Sequence, residues 1–290
     1  MSLRQKIVKL LSLLLQGRPT NVVAQIVTTP PNQLLKGRCA LITGGTSGIG
    51  FAIAKSFLEA GATCIITGRS PERLQTACQE LERYGLVCGY TLDNTNIETF
   101  DSVFQKITER ATELSGQLDI LVNNAGIGIG KAFPNTIEHD YDLILETNLK
   151  GAYFLSQLFS KYMVKNSITG NILNIESSSS LRYGNTPYVI SKWGLHSLTL
   201  GLAKTLAPYG ITVNAIAPGP TATPMLNKSK HDTITHEHIP LGRYILPEEI
   251  ANGAVFMVSN MGKVTLGSTL YMTGGAGTLT QDDIPYHFTL

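Results

Sequence analysis

Tyr188 and Lys192 stand four residues apart, directly after Pro187 in the stretch TPYVISK. Proline suits the first turn of a helix, so this spacing puts the phenol and the ammonium on one helical face. A phenol ordinarily titrates near pH ~10, and a neighbouring ammonium lowers its pKa by stabilising the phenolate. Such a tyrosine can give a proton to a carbonyl oxygen or take one from an alcohol. The alternative is an ordinary surface Tyr/Lys pair on a helix.

A glycine-rich turn lies far upstream, where ALITGGTSGIGFAIA joins an apolar run to a helical pattern. Gly44, Gly48 and Gly50 give it the spacing G-x-x-x-G-x-G. Glycines let the backbone turn sharply and approach a pyrophosphate, which the N–H groups and the dipole of the following helix attract. Glycines also serve ordinary turns, but a strand before and a helix after favour a dinucleotide site.

The second apolar run, TCIITGRS, ends in Gly68 and Arg69. A carboxylate at this point would bind the ribose 2′-hydroxyl of NAD and repel a 2′-phosphate. Glycine leaves space, and the Arg69 guanidinium can grip a phosphate through two parallel N–H bonds. The sequence therefore predicts NADP(H), with NAD(H) as the alternative. Arg69 could instead point to solvent, ahead of a helix that Ser70 caps and Pro71 begins.

Short apolar runs alternate with helical patterns from about residue 38 onward. In one such pattern Ile49, Ile53, Phe57 and Leu58 share a helical face. Strands that alternate with helices indicate βαβ units with right-handed crossovers, so we expect an α/β fold with a doubly wound parallel sheet. The predicted strands are CALIT, TCIIT, LVCGYTL, LDILVNN, NILNIES, ITVNAIAP and TLYMTGG.

We divide the chain into an N-terminal arm over residues 1–36, a dinucleotide-binding domain over 37–276 and a C-terminal tail over 277–290. The arm contains LRQKIVKLLSLLL, which predicts an amphipathic helix with basic and no acidic residues. We favour a helix that docks on the domain or on a neighbouring subunit. Residues 1–16 could instead contact a membrane peripherally, or the arm could be a cleaved targeting peptide.

The composition argues against several functions. The net charge of +2 gives no reason to expect a nucleic-acid partner. No apolar run approaches the roughly 18 residues that span a bilayer. The four cysteines lack metal-ligand spacing, so we expect buried free thiols, no metal site and a reducing compartment, the cytoplasm.

Five motifs, taken in order, resemble the short-chain dehydrogenase/reductase family, in the compact single-domain branch that includes the 3-oxoacyl-thioester reductases. They are the glycine turn, NNAG at 123–126, TNLKG at 147–151, Y-x-x-x-K at 188–192 and APGPTATPM at 217–225. The match covers about residues 36–275. The resemblance implies a Rossmann-like sheet of seven strands with helices on both faces. It also implies a nicotinamide cofactor and a homodimer or homotetramer built on helix–helix packing.

The resemblance implies a catalytic tetrad. Tyr188 would be the acid/base, Lys192 would also bind the nicotinamide ribose, and Asn148 would hold a water in a proton relay. The fourth member is the second serine of the family's N-I-S-S strand end, and this strand ends in N-I-E-S at residues 174–177. Counting along the strand gives Ser177 as the catalytic serine.

Two departures from the family pattern fall beside this serine. Glu176 replaces a residue that is usually small, and the gap from Ser177 to Tyr188 is shorter than usual. Ser178 is therefore the alternative catalytic serine, and Ser179 and Ser180 fall in the loop that follows.

The resemblance also implies which residues bind the cofactor. Asp93 would contact the adenine, the NNAG segment would lie beside the adenine ribose, and the APGP segment would close over the nicotinamide. With Arg69 and two members of the tetrad, the expected cofactor-binding residues are Gly44, Thr46, Ser47, Gly48, Ile49, Gly50, Arg69, Asp93, Asn94, Asn123, Ala125, Gly126, Tyr188, Lys192, Pro218, Gly219, Thr221 and Thr223.

The leading interpretation is an oxidoreductase that transfers a hydride between NADP(H) and a carbonyl or secondary alcohol. Its substrate would be a 3-oxoacyl thioester, or a sugar, polyol or other small carbonyl compound. One alternative is a non-catalytic NADP(H)-binding regulator, which would not need a complete tetrad. Another is a sugar-nucleotide epimerase or dehydratase, but the 70 residues after APGP are too few for the larger substrate domain of those relatives.

A long irregular segment, roughly residues 219–246, is typical of a functional lid. Its basic and imidazole side chains could receive an anionic substrate, although a solvated polar loop is the interpretation we favour. These side chains are Lys228, Lys230, His231, His236 and His238.

Overall fold

The computed structural model describes residues 30–226 and 233–280. In that part of the chain seven strands form one parallel sheet with the order β3-β2-β1-β4-β5-β6-β7. The order reverses between β1 and β4, and open α/β sheets bind their ligands at the carboxyl ends of the strands beside such a reversal. The strands are β1 (Cys39–Thr43), β2 (Thr63–Gly68), β3 (Val87–Thr91), β4 (Ile120–Asn123), β5 (Gly170–Ile175), β6 (Ile211–Pro218) and β7 (Thr269–Met272).

Helices cover both faces of this sheet, so the predicted doubly wound α/β fold is confirmed. One layer contains α1 (Gly48–Glu59), α2 (Pro71–Leu81) and α7 (Pro247–Val258). The other contains α3 (Phe100–Ser115), α5 (Gly151–Lys165) and α6 (Pro187–Leu206). A shorter helix, α4 (Glu138–Leu145), continues through a π-helical segment, Glu146–Lys150, directly into α5.

The strands of the centre are apolar throughout because both of their faces are buried. In β1, Ala40 and Ile42 pack into the layer of α1 and α7, whereas Cys39 and Leu41 pack into the layer of α3 and α5. On α1, Ile53, Phe57 and Leu58 are buried as predicted, but Ile49 is only half-buried. Its position at the N-terminus of the helix brings Ile49 to the edge of the sheet where the candidate site lies.

All four cysteines are free thiols. Cys39 and Cys64 are buried as predicted, but Cys78 and Cys88 are half-buried because they lie nearer the outer edge of the β3 side of the sheet. Burial raises the pKa of the Cys39 thiol to about 12. Within the described ranges no group of three or more histidine, cysteine or acidic side chains could hold a metal ion.

The arm and the tail lie mostly outside the described residues, as do positions 227–232 of the lid with Lys228, Lys230 and His231. The membrane-contacting or targeting helix of the arm therefore stays a prediction. The last part of the arm does pack on the domain: Leu35 is fully buried, and its N–H donates to the carbonyl oxygen of Ala60 at 2.9 Å. No helix of residues 30–226 and 233–280 is long and apolar enough to cross a membrane.

Candidate active site

A cleft of about 990 Å³ opens at the carboxyl edge of the sheet. Most of the residues that the sequence predicts for the site line it together, although they come from distant parts of the chain, between Gly44 and Thr223. They are Gly44, Thr46, Ser47, Gly48, Ile49, Arg69, Asp93, Asn94, Ala125, Gly126, Ser177, Tyr188, Lys192, Pro218, Gly219, Thr221 and Thr223. Gly50, Asn123 and Asn148 do not line the cleft but lie behind its wall.

The glycine turn lines the cleft between β1 and α1. Gly44 and Gly48 have positive φ angles of 65° and 55°, which favour glycine. A Cβ on Gly50 would lie 2.4 Å from the carbonyl oxygen of Gly44, so only glycine lets the helix begin directly against the turn. The N-cap, Ser47, makes no side-chain capping bond. The helix therefore presents uncapped N–H groups at the cleft, as a phosphate site requires.

The segment after β4 is bonded to the end of β1. The Thr43 hydroxyl accepts hydrogen bonds from the N–H groups of Asn124 and Ala125, both at 3.0 Å. The Asn124 amide donates to the carbonyl oxygens of Thr43 at 2.9 Å and Gly44 at 3.2 Å. These bonds hold the NNAG segment against the glycine turn, so the two form one continuous wall.

Asn123 and Asn148 act from behind that wall. Asn123 is buried and donates to Ser156 at 2.8 Å and to Asn174 at 2.9 Å, which joins β4, α5 and β5. Asn148 lies in the π-helical segment, accepts from the N–H of Ile127 at 2.8 Å and donates to its carbonyl oxygen at 3.0 Å.

Both amide hydrogens of Asn148 are used, because the second one bonds the Ser191 hydroxyl at 3.1 Å. The amide donors therefore position the cleft wall. A relay water, the role that the resemblance implies, would have to bind another atom of this residue. Beside it, the buried Thr147 hydroxyl lines the cleft without a hydrogen-bond partner among the described protein atoms.

The catalytic candidates Tyr188 and Lys192 lie on the first turns of α6. This helix begins at Pro187, as the sequence predicts, and the Thr186 side chain caps it by accepting from the N–H of Val189 at 3.2 Å. Tyr188 and Lys192 both face the cleft from this helix. The spacing argument for one helical face is therefore confirmed.

The pKa of Tyr188 shifts in the direction opposite to the one predicted. Burial raises the pKa of Tyr188, and the hydrogen bond to Ser177 opposes that shift only in part. The expected net lowering of the Tyr188 pKa is wrong, because burial of the phenol outweighs the groups that favour the phenolate. The lysine Nζ lies 5.8 Å from the centre of the Tyr188 ring. The ammonium instead donates to the carbonyl oxygen of Ile175 at 2.8 Å.

Ser177 is the serine that contacts the tyrosine. It also caps the short 3₁₀ turn that follows, where its Oγ accepts from the N–H of Ser179 at 3.1 Å. The Ser180 hydroxyl is turned away and donates to the carbonyl oxygen of Ser177 at 2.7 Å. Ser178, the alternative, lines the cleft and is half-buried. The geometry thus favours the serine that the strand count selects.

Glu176, for which the sequence predicts no role, has a side chain that is fully buried beside the tetrad. Its carboxylate lies 3.1 Å from Nδ1 of His196 and accepts from the Thr199 hydroxyl at 2.9 Å. Burial raises the pKa of Glu176, and His196, Thr199 and Lys192 oppose that shift. Burial lowers the pKa of Lys192 to about 8, and Glu176 opposes it. The sequence does contain one sign of this site: a glutamate stands directly before Ser177, where the family usually has a small residue.

Two arginines line the cleft beside the glycine turn, where β2 ends. Arg69 lines it as predicted, and Arg73, which sequence analysis missed, lines it as well. Ser70 caps α2 by accepting from the N–H of Arg73 at 3.3 Å, so capping and a free Arg69 coexist. The separation of four residues would have placed Arg73 near Arg69. Gly68 leaves the space between them and Thr46, since a Cβ there would lie 2.6 Å from Thr46 Cγ2.

Comparisons with known proteins agree with this geometry. The family model for short chain dehydrogenases matches residues 38–234. A 3-oxoacyl-(acyl-carrier-protein) reductase of Aquifex aeolicus is 37% identical over 251 residues, which cover 83% of this chain and 98% of that protein.

Two solved structures show the same fold. A putative gluconate dehydrogenase from Agrobacterium tumefaciens has 32% identity and a TM-score of 0.76, covering 84% of this chain and 98% of that one. A variant of actinorhodin polyketide ketoreductase, solved with NADPH, has 30% identity and a TM-score of 0.76. The match covers 83% of this chain and 97% of that one. The resemblance inferred from five motifs is confirmed, and the chain belongs to the short-chain dehydrogenase/reductase family.

Proposed function

We propose that this protein is an NADP(H)-dependent reductase of a carbonyl substrate, with Tyr188 as its acid/base. One observation carries the proposal: Ser177, Tyr188 and Lys192 converge at the carboxyl end of β5, in the same cleft as an uncapped, glycine-flanked helix N-terminus. A non-catalytic binding protein would need only the helix terminus.

The described residues fit a nicotinamide dinucleotide. The glycine turn and the N-terminus of α1 would hold its pyrophosphate, the NNAG segment and Asp93 its adenosine, and Lys192 its nicotinamide ribose. The Thr147 hydroxyl adds a buried polar group without a partner in the cleft wall. When bound, the cofactor supplies the hydride, which is chemistry that no protein side chain provides.

The protonation states favour reduction at neutral pH. Because burial raises the pKa of Tyr188, its phenol carries a proton at neutral pH and can donate that proton to the substrate oxygen. The Ser177 hydroxyl, bonded to the same phenol, is placed to hydrogen-bond the substrate oxygen and orient it toward Tyr188. Lys192 lies next along the helix, where its charge would stabilise the phenolate that remains.

The part of the cleft at the end of β2 supports NADP(H) over NAD(H). A 2′-phosphate there would meet Arg69 and Arg73, both exposed, and no carboxylate stands at the end of β2 to repel it. A guanidinium binds a phosphate through two parallel N–H bonds, so either arginine could recognise it. The NADPH-bound polyketide ketoreductase, a structural neighbour, supports the same choice.

A 3-oxoacyl thioester is the substrate class that we propose first. The relative from Aquifex aeolicus is named as a reductase of such a compound. The outer cleft of this chain also exposes apolar side chains, Ile129, Met225 and Leu226, which suit an acyl chain better than a polyol. A sugar-acid substrate, as the name of the gluconate dehydrogenase suggests, is the second candidate.

The apolar surface of α5 and α6 supports a homodimer or homotetramer. Tyr153 is 48% exposed, Phe154 is 37% exposed, and both lie beside Leu149 and Leu198 in a shallow apolar depression. Exposed apolar side chains that are grouped in this way suit contact with another protein surface. We further propose that the protein acts in the cytoplasm, which the four free thiols support.

The test is the substitution Tyr188→Phe, assayed with NADPH and a panel of 3-oxoacyl thioesters, sugar acids and other small carbonyl compounds. We expect the variant to bind NADPH normally and to lose at least ~10²-fold in turnover, the usual size of a general-acid contribution. Tyr183→Phe is the matched control, because that tyrosine is 98% exposed. Near-normal turnover of Tyr188→Phe would remove this residue from the mechanism. A wild-type protein that binds NADPH but reduces no compound of the panel would favour the regulator.

A further inference from the structure

Buried charge is rare in this protein and is concentrated beside the tetrad. Among the described residues the buried charged side chains are Asp119, Glu176 and Lys192. Asp119 lies at the amino edge of the sheet, where Arg38 pairs with it. Glu176 and Lys192 lie together at the carboxyl edge. A buried ion needs an opposite charge or several hydrogen bonds to offset its lost hydration.

Lys192 has one firm hydrogen bond in the described protein, from Nζ to the carbonyl oxygen of Ile175 at 2.8 Å. Glu176 is the next residue along the chain, so the bond to Ile175 brings the buried ammonium close to the buried Glu176 side chain without a direct ion pair between them. The charge of Glu176 raises the pKa of Lys192. The titratable groups that face Lys192 are thus Glu176 from the end of β5 and Tyr188 from its own helix.

Glu176 is held in place from two elements. On α6, His196 contacts one of its carboxylate oxygens at 3.1 Å, and Thr199 donates to the other at 2.9 Å. On β7, the Thr269 hydroxyl lies 3.5 Å from it, and Tyr271 is the further titratable group that senses its charge. Burial raises the pKa of Glu176, whereas its contacts with His196 and Thr199 and the charge of Lys192 favour the ionised form.

We propose that Glu176 is a positioning residue that keeps the Lys192 ammonium charged while Tyr188 exchanges its proton, an inference that rests on the proposed function. The charge of Glu176 offsets the effect of burial on Lys192. Burial alone favours the neutral amine, which cannot stabilise a phenolate. An ionised carboxylate beside the lysine restores the charged form. The family's usual small residue at this position offers no such charge.

The pH dependence follows from the signs of the shifts. Burial lowers the pKa of Lys192 to about 8, and Glu176 holds it from falling further. Removal of the carboxylate charge should therefore lower the pKa of Lys192 below its wild-type value, so the lysine loses its proton at a lower pH. Activity that needs the ammonium is present below that pKa and is lost as the pH rises through it.

The direct test measures the lysine itself. In the full chain with ¹³C-labelled lysine, the Lys192 resonance is assigned by its loss in Lys192→Arg and titrated in wild type and Glu176→Gln. We expect the midpoint to fall by about one pH unit or more, the usual effect of removing a close opposite charge. The control is Asp119→Asn, which removes the buried carboxylate at the other edge and should leave the midpoint unchanged. An unchanged midpoint in Glu176→Gln overturns the proposal.

A second arm uses activity. The alkaline limb of the pH–turnover profile should move to lower pH in Glu176→Gln and stay in place in His196→Gln, which keeps the carboxylate. Equal shifts in both variants would show that the packing matters and the charge does not, and would overturn the proposal. The lysine titration needs no substrate. It therefore still tests the effect of Glu176 on Lys192 if the protein shows no reductase activity.

The wild-type protein provides a measurement that does not depend on whether Glu176→Gln folds. With ¹³C-labelled glutamate in the wild-type chain, we expect the Glu176 carboxyl group to be ionised at pH ~7, because His196, Thr199 and Lys192 oppose the effect of burial. A carboxyl group that is protonated there would overturn the proposal. The stability of Glu176→Gln relative to Asp119→Asn then separates a general cost of lost buried charge from the specific effect on Lys192.

Discussion

The side-chain amide of Asn148 pairs with the backbone of Ile127, accepting from its N–H at 2.8 Å and donating to its carbonyl oxygen at 3.0 Å. The side chain of one residue thus bonds both backbone groups of a residue 21 positions away, as a neighbouring strand would. The bonds tie the loop after β4 to the π-helical segment between α4 and α5. The cleft wall at Gly126 thus depends on a side chain that does not itself line the cleft.

Asn148→Ala should weaken NADPH binding about tenfold and lower the melting temperature, because it removes three hydrogen bonds worth roughly 0.5–1.5 kcal/mol each. Calorimetric titration and thermal unfolding would measure the two effects. Asn166→Ala is the control, since that exposed asparagine bonds only the last turn of α5. Unaltered NADPH affinity in Asn148→Ala would show that the wall does not need this pair.

Ser177→Ala should reduce turnover far more than Ser178→Ala or Ser180→Ala. Ser177 bonds the Tyr188 phenol, whereas the Ser180 hydroxyl donates to a backbone carbonyl oxygen and points away from the phenol. Turnover at saturating NADPH, with thermal unfolding to exclude a folding defect, would compare the three variants. If Ser178→Ala were the most damaging, the catalytic serine would be the alternative that the short gap to Tyr188 suggests.

Arg69→Ala and Arg73→Ala should each weaken NADPH binding and leave NADH binding nearly unchanged. A hydrogen bond to a charged group contributes roughly 1.5–3 kcal/mol, or about tenfold to a hundredfold in affinity. Arg83→Ala is the matched control, because this exposed arginine pairs with Glu80 away from the cleft. Equal affinities of the wild type for the two reduced cofactors would count against recognition of the 2′-phosphate.

Phe154→Glu should lower the molar mass of the protein in solution, because it places a charge on the apolar surface of α5 and α6. Light scattering coupled to gel filtration would give the mass. Tyr209→Glu is the control, since Tyr209 is 53% exposed but lies outside the apolar depression. A wild type that is monomeric, or a Phe154→Glu variant of undiminished mass, would contradict the proposed interface.

The fold could be predicted because the determining signals are local. The run CALIT coincides with β1 and ITVNAIAP coincides with β6, since buried parallel strands are apolar on both faces. Tyr188 and Lys192 could be placed together for the same reason, because a spacing of four residues determines their position on any helix. The cap at Ser70 and the start of α2 at Pro71 could likewise be predicted from neighbouring residues alone.

Contacts between distant elements were not predictable in this way. Glu176 and His196 are 20 residues apart and meet only because the end of β5 packs against the third turn of α6. The sign of the Tyr188 pKa shift depends on how deeply the phenol is buried, which the spacing to Lys192 does not contain. The bond from Asn148 to Ile127 likewise needs the π-helical segment, for which the sequence offers no pattern.

The burial of Leu35 affects how the arm can be removed. A chain shortened to begin at residue 36, the linker end suggested by composition, would lose a fully buried leucine and its bond to Ala60. Loss of a buried leucine side chain ordinarily costs about 2–5 kcal/mol, enough to be mistaken for a contribution of the arm. A chain that begins at Pro30 keeps this leucine. Differences between that chain and the full-length protein in lipid flotation, assembly or heat resistance would then belong to residues 1–29 alone.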